Sequence, residues 1–136
     1  MPRKINVLLV DDSRTVLAQL ERILGELDDL AIVGMARDGA AAIRLAGETR
    51  PDLVMMDIVM PGLDGLSALR TIKSQFPEIE VAMISSVSGD STKAAESFRL
   101  GACQVLGKPF DQEIIESLVE GVRLSLGATT CDARDH

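Results

Sequence analysis

The chain has almost no aromatic residues: 2% of its 136 positions, with no tryptophan and no tyrosine. Ring stacking of the kind a flavin carrier needs is therefore not on offer, and the core has to come from Leu, Ile, Val, Ala and Met, which with the other apolar types make up 46% of the chain. Histidine is equally scarce. The only one is the last residue, His136, which removes His-ligated metal sites, Ser-His catalysis and a histidine phosphocarrier. Two cysteines, Cys103 and Cys131, make no disulfide framework and read as free thiols. No apolar run approaches the roughly 20 residues of a membrane span, and the first residues hold no signal-peptide apolar stretch. Positive charge is also in deficit. A net charge of −7 and a pI near 4.6 oppose direct binding to nucleic acid or to an anionic membrane surface. The expectation is a soluble, cytoplasmic protein of a size that fits one domain.

What is present is an alternation. Ile5 to Val10 (INVLLV) is a short, nearly continuous apolar run, as expected of a central strand covered on both faces. Ser13 can cap a helix whose apolar positions, Val16, Leu17, Leu20, Ile23, Leu24 and Leu27, recur at helical spacing as far as Asp28-Asp29. The pattern repeats. AIVGMA is followed by an Asp38-Gly39 turn and an Ala-rich helix to about Ala46, and LVMMDI, closing near Asp57, by the loop VMPGLDG and a helix with Leu66, Leu69 and Ile72. VAMIS leads through a polar stretch to a helix ending at Gly101. QVLG leads through Lys108-Pro109 to a helix that Asp111 can cap and that carries Ile114, Ile115, Leu118, Val119 and Val122. Five βα units joined by single helices predict a doubly wound α/β sandwich of three layers, with a parallel sheet between helices. Residues 1–126 are expected to form this domain and residues 127–136 a polar, frayed tail.

Ligands of open α/β sheets bind beyond the carboxyl ends of the strands, where strand order reverses. Asp11 and Asp12 follow the first strand and Asp57 closes the third; Ser85 ends the fourth, and Lys108 follows the fifth. Three carboxylates in one cleft repel each other by about 3 kcal/mol per pair, for ~5 Å separations and an effective dielectric of ~20. Such a cluster calls for a cation. Oxygen donors without His or Cys select Mg²⁺, or Mn²⁺, over zinc or copper, and Mg²⁺ leaves coordination positions free for a phosphoryl oxygen. A carboxylate beside that ion, facing an ammonium and a hydroxyl, is placed to attack phosphorus.

LLVDDS, LVMMDIVMPGLDG, MISS and GKPF, in this order and spacing, resemble the receiver domain of bacterial two-component response regulators over about Lys4 to Gly121. The resemblance implies a flavodoxin-like fold with five parallel strands in the order 2-1-3-4-5. It further implies that Asp57 is the phosphoacceptor, and that Asp11 and Asp12 hold the metal together with Asp57 and the backbone carbonyl of Val59, with Asp12 favoured as the direct ligand. Ser85 would be the switch hydroxyl, with Ser86 beside it as a competitor, and Lys108 would pair with the phosphoryl group across a cis bond to Pro109. The partners implied are a histidine kinase or phosphotransfer protein and a downstream effector protein. The chain would be a monomer, or a dimer formed on phosphorylation through the last two helices and the strand between them, and an enzyme only towards its own phosphoryl group.

Plainer readings stand beside these. An Asp pair before a helix is commonly a cap and a solvated charge. Met55, Met56 and Met60 read as core filler, and the glycines of PGLDG as turn punctuation. Val105 stands on the fifth strand where many members of the family carry a switching aromatic residue. Val59 and Val87, two residues beyond the acceptor and the hydroxyl, are both apolar; since these positions influence water attack in the family, the resemblance implies a longer-lived acyl phosphate. A haloacid-dehalogenase-type phosphatase would need a second Asp where Val59 stands, and a flavin carrier a Ser/Thr/Gly-rich loop after the first strand. A constitutive adaptor with a vestigial acidic pocket is a further alternative, and so is the receiver half of a chemotaxis methylesterase, whose receivers MISSVSGDSTKAA resembles. The sequence is read as a stand-alone regulator.

Overall fold

In the computed structural model, residues 4–60, 62–85, 91–108 and 110–135 are described, 91 and 126–135 by backbone alone. Strands and helices alternate throughout: β1 (Ile5–Val10), α1 (Arg14–Gly25), β2 (Leu30–Ala36), α2 (Gly39–Thr49), β3 (Leu53–Asp57), α3 (Gly65–Gln75), β4 (Glu80–Ser85), α4 (Ser91–Arg99), β5 (Gln104–Gly107) and α5 (Gln112–Asp135). All strand pairs are parallel, and the sheet order is β2-β1-β3-β4-β5. The α5 backbone continues past Leu126 into the stretch expected as a frayed tail. That stretch contains no proline, and its one internal glycine, Gly127, costs a helix only about 1 kcal/mol.

Two apolar layers hold the helices on the sheet. Leu17, Leu20, Ile23 and Leu24 of α1 and Ile115, Leu118, Val119 and Val122 of α5 pack against Val7, Leu9 and Ile84. On the opposite face, Ala42 and Ala46 of α2 and Ala68, Leu69 and Ile72 of α3 cover Leu8, Val10, Val54 and Met83. β1 and β3, in the middle of the sheet, contribute alternate residues to both layers, which is why their sequences are apolar almost without interruption. Met55, Met56 and Met60 are buried among these layers, as filler.

Four helices leave the carboxyl edge of the sheet with a side-chain cap. Ser13 Oγ accepts from Val16 N (3.3 Å), Asp38 Oδ1 from Ala41 N (2.8 Å), Asp64 Oδ1 from Ser67 N (2.8 Å) and Asp111 Oδ1 from Ile114 N (3.0 Å). Each cap satisfies a first-turn N–H and fixes the angle at which its helix departs. The two Asp-Gly pairs thus do more than turn the chain. In both, Asp is the cap and Gly the first helical residue.

Candidate functional site

The sheet order reverses between β1 and β3, so the crevice of a doubly wound fold opens where those strands end. Asp11 is the residue after β1, fully buried, and its N–H donates to Ala36 O (3.1 Å), continuing the ladder to β2. Asp11 Oδ1 accepts from Ser13 N (2.9 Å), which ties the carboxylate to the first turn of α1. Asp12 faces solvent. Asp57, the last residue of β3, is 4% exposed, and its Oδ1 accepts from Val59 N (3.3 Å). One oxygen from each of Asp11, Asp12 and Asp57 falls within a 4.8 Å cluster.

Lys108 reaches into this cluster from the end of β5. Its Nζ donates to Asp57 Oδ2 (3.4 Å) and lies 3.1 Å from Asp11 Oδ2. The second approach lacks hydrogen-bond alignment, so Asp11 Oδ2 is a buried oxygen with no hydrogen-bond donor. Such an oxygen is costly in the metal-free protein and suits a cation ligand. The donor set is entirely carboxylate, which fits Mg²⁺ or Mn²⁺.

Electrostatics follow from this crowding. Burial, then the charge of Asp11, push the Asp57 carboxyl above its ordinary value, against the opposing pull of Lys108 and the Val59 N–H. For Lys108, burial works to lower the ammonium's pKa. Its close approach to the Asp11 carboxylate, its hydrogen bond with Asp57 and the charges of both carboxylates outweigh burial and hold it above the ordinary lysine value. One ammonium therefore serves two buried carboxylates.

Main-chain bonds hold the strand ends in register. Ile58 N donates to Ile84 O (2.9 Å) and Lys108 N to Ser85 O (2.8 Å), and Ser85 lies opposite Gly107 in the β4–β5 ladder. Ser85 thus sits at the same edge as Asp57 and Lys108. Val59 presents its side chain to solvent, 51% exposed. Ser86, Val87 and the Lys108-Pro109 bond lie outside the described residues.

Two residues at the site escaped the sequence reading. Gly65 is more than turn punctuation: a Cβ there would stand 2.2 Å from Asp57 O and 2.8 Å from Ile58 Cα. Only glycine lets α3 begin directly over the end of β3, where Gly65 N donates to Ile58 O (2.9 Å). The second is Arg37, whose Nη2 donates to the carbonyl of Asp12 (3.2 Å). The signal for Gly65 was its place after Asp64 at a helix start; for Arg37 no local signal exists, because the contact spans 25 residues.

A doubly wound sheet with clustered carboxylates and a lysine at its switch point defines a class of phosphate- or metal-handling α/β domains, and comparison with known proteins narrows it. The response regulator receiver domain model matches residues 7–120, and the chain belongs to that family. Protein-glutamate methylesterase/protein-glutamine glutaminase 5 of Myxococcus xanthus is 37% identical over 130 residues, covering 91% of this chain and 37% of that protein. The chain spans just over a third of the length of such curated relatives. Among solved structures, the response regulator domain of Thermotoga maritima CheB is 33% identical with a TM-score of 0.81, covering 92% of this chain and 98% of that one. A CheY solved with CheX, BeF3 and Mg²⁺ from Borrelia burgdorferi is 30% identical with a TM-score of 0.82, covering 88% and 90%. Among the described residues no helix is long and apolar enough to cross a membrane.

Proposed function

We propose that this chain is a phosphorylation switch in which Asp57 takes a phosphoryl group from a histidine kinase, a phosphotransfer protein or a small acyl phosphate. A carboxylate oxygen of Asp57 forms the bond to phosphorus as the bond from phosphorus to the donor breaks, and the donor leaves with the electron pair. Asp11, Asp12, Asp57 and the carbonyl of Val59 would hold Mg²⁺, which when bound neutralises charge on the transferring group. Lys108 then turns its ammonium from the carboxylates to the phosphoryl oxygens, and the Ser85 hydroxyl donates to another. The observation that carries this reading is the convergence of Asp11, Asp12 and Asp57 within 4.8 Å around Lys108 at the switch point of a receiver fold.

The output is a change in affinity for a protein partner, with no direct contact to nucleic acid or membrane. Exposed Phe98 on α4 and Ile114 and Leu124 on α5 supply apolar contact area on the side of the sheet that ends in β5, for an effector or for a phosphorylation-dependent dimer. Activity is confined to the chain's own phosphoryl transfer and hydrolysis, in the cytoplasm. The apolar side chains of Val59 and Val87 offer an attacking water no hydrogen-bonding group, and the acyl phosphate persists. Val87→Glu is expected to change the decay rate; an unchanged rate would count against this role.

The test is intact mass after incubation with acetyl phosphate. A gain of ~80 Da that needs Mg²⁺ and is lost in Asp57→Asn is the expected result. Mg²⁺ binding without phosphoprotein from acetyl phosphate or any kinase would sink it. The resemblance to methylesterases favours a second reading, a receiver that governs such an activity. A native polypeptide much larger than 14.6 kDa in cells would support it.

A further inference from the structure

We infer that Arg37 is the rim cation that draws a dianionic phosphodonor into the acidic crevice. The inference rests on the phosphoryl-transfer reading above and adds a residue that selects among donors. Formally, Asp11, Asp12 and Asp57 against Lys108 leave the pocket at three negative charges and one positive, a net −2, which the Mg²⁺ they would hold brings only to zero. A dianionic acyl phosphate therefore meets no net attraction from the pocket itself. Lys108 is engaged with both buried carboxylates, so it offers little to a donor still outside.

Arg37 is held where an approaching donor passes. It directly follows β2, whose last residue is tied to Asp11 through the Asp11 N to Ala36 O bond. Its Nη2 donates to the carbonyl of Asp12, the solvent-facing member of the cluster. A guanidinium has five N–H donors in a planar fork suited to phosphate. One bond to a neutral carbonyl consumes little of that capacity and cancels none of the charge. Arg37 is exposed, so the free edge of its fork meets solvent at the rim. A fixed positive charge at the mouth of an acidic cleft raises the encounter rate of anions, and more so for doubly than singly charged ones.

Two donors that differ in charge test this. Acetyl phosphate is a dianion near neutral pH, and phosphoramidate carries less net negative charge. Phosphorylation of wild type, Arg37→Ala, Arg37→Gln and Arg37→Lys by each is followed by intact mass, and Mg²⁺ affinity is measured by calorimetry. Loss of the charge is expected to slow acetyl phosphate about three- to tenfold at low salt and phosphoramidate much less, with the gap closing as salt rises. Arg37→Lys keeps most of the wild-type rate, and Mg²⁺ binding is unchanged or tighter, since a nearby cation has gone. Equal slowing of both donors with weakened Mg²⁺ binding would make Arg37 a brace for the Asp12 carbonyl and overturn the inference. Wild-type rates in all variants would also overturn it. A wild type that accepts no phosphoryl group from either donor would instead remove the underlying reading, a failure visible before any Arg37 variant is made.

Discussion

The two ends of the sheet treat charge in opposite ways. At the amino ends of the strands, charged groups find direct partners near solvent, Arg123 pairing with both Asp29 and Glu120. Asp29 is bridged by Arg123, Asp52 accepts from Asn6 N (2.8 Å), and Lys73 donates to Pro77 O and Ile79 O at the exit of α3. At the carboxyl ends, two buried carboxylates share a single ammonium and one of their oxygens has no donor. The first arrangement stabilises the fold. The second is tolerated only because the rest of the sheet is well packed, and local cost of this kind concentrates where chemistry is done.

Gly65→Ala is expected to break that contrast most severely. The new methyl would overlap main-chain atoms at the end of β3, so the α3 start or Asp57 has to shift; the expected loss is about 2–4 kcal/mol in urea unfolding. Lys108→Ala comes next. It leaves Asp11 and Asp57 facing each other without a counter-charge, and metal-free protein should lose about 2–3 kcal/mol at neutral pH, with Mg²⁺ restoring part of it. A variant as stable as wild type without metal would erase the difference between the two ends.

A smaller effect sharpens the comparison. Because the Asp57 carboxyl is held above its ordinary value, the folded state binds its proton more tightly than the unfolded chain does. This contribution to stability is fully present below the unfolded value near 4 and is lost as pH rises through the folded value. In EDTA, Asp57→Asn should therefore melt higher than wild type at neutral pH and lower the pH dependence above ~4; the reverse order would contradict the burial argument. The smallest effect belongs to the amino end. Arg123→Ala removes the pairs with Asp29 and Glu120, and for partly exposed groups about 0.5–1 kcal/mol is expected, falling with added salt.

Much of this architecture was legible in the chain because the fold writes itself in local patterns. INVLLV and QVLG are strands at the bounds read from the sequence, since apolar runs between polar exits mark buried parallel strands. Helix ends were less legible. α1 stops at Gly25, where the Glu26 N–H turns back to Ile23 O and Leu24 O, although apolar spacing runs on to Leu27. α4 stops at Arg99, ahead of Gly101 with its φ of +109°. At the site, strand ends placed Asp11, Asp12, Asp57, Ser85 and Lys108 at one edge, and the alternation alone was enough for that. It could not show Lys108 lying between two carboxylates, the backbone contact that demands glycine at 65, or the reach of Arg37, because each depends on how loops distant in sequence meet.

The side-chain caps at Ser13, Asp38, Asp64 and Asp111 have a consequence for how such a module can be rewired. Each helix that leaves the rim takes its direction from its own first turn and owes little of it to whatever its outer face touches. The outward residues of α1 can therefore vary while the Ser13 N–H keeps the Asp11 carboxylate aimed. A lineage, or an engineer, can change the outer surface of such a module without disturbing the acidic rim beneath it.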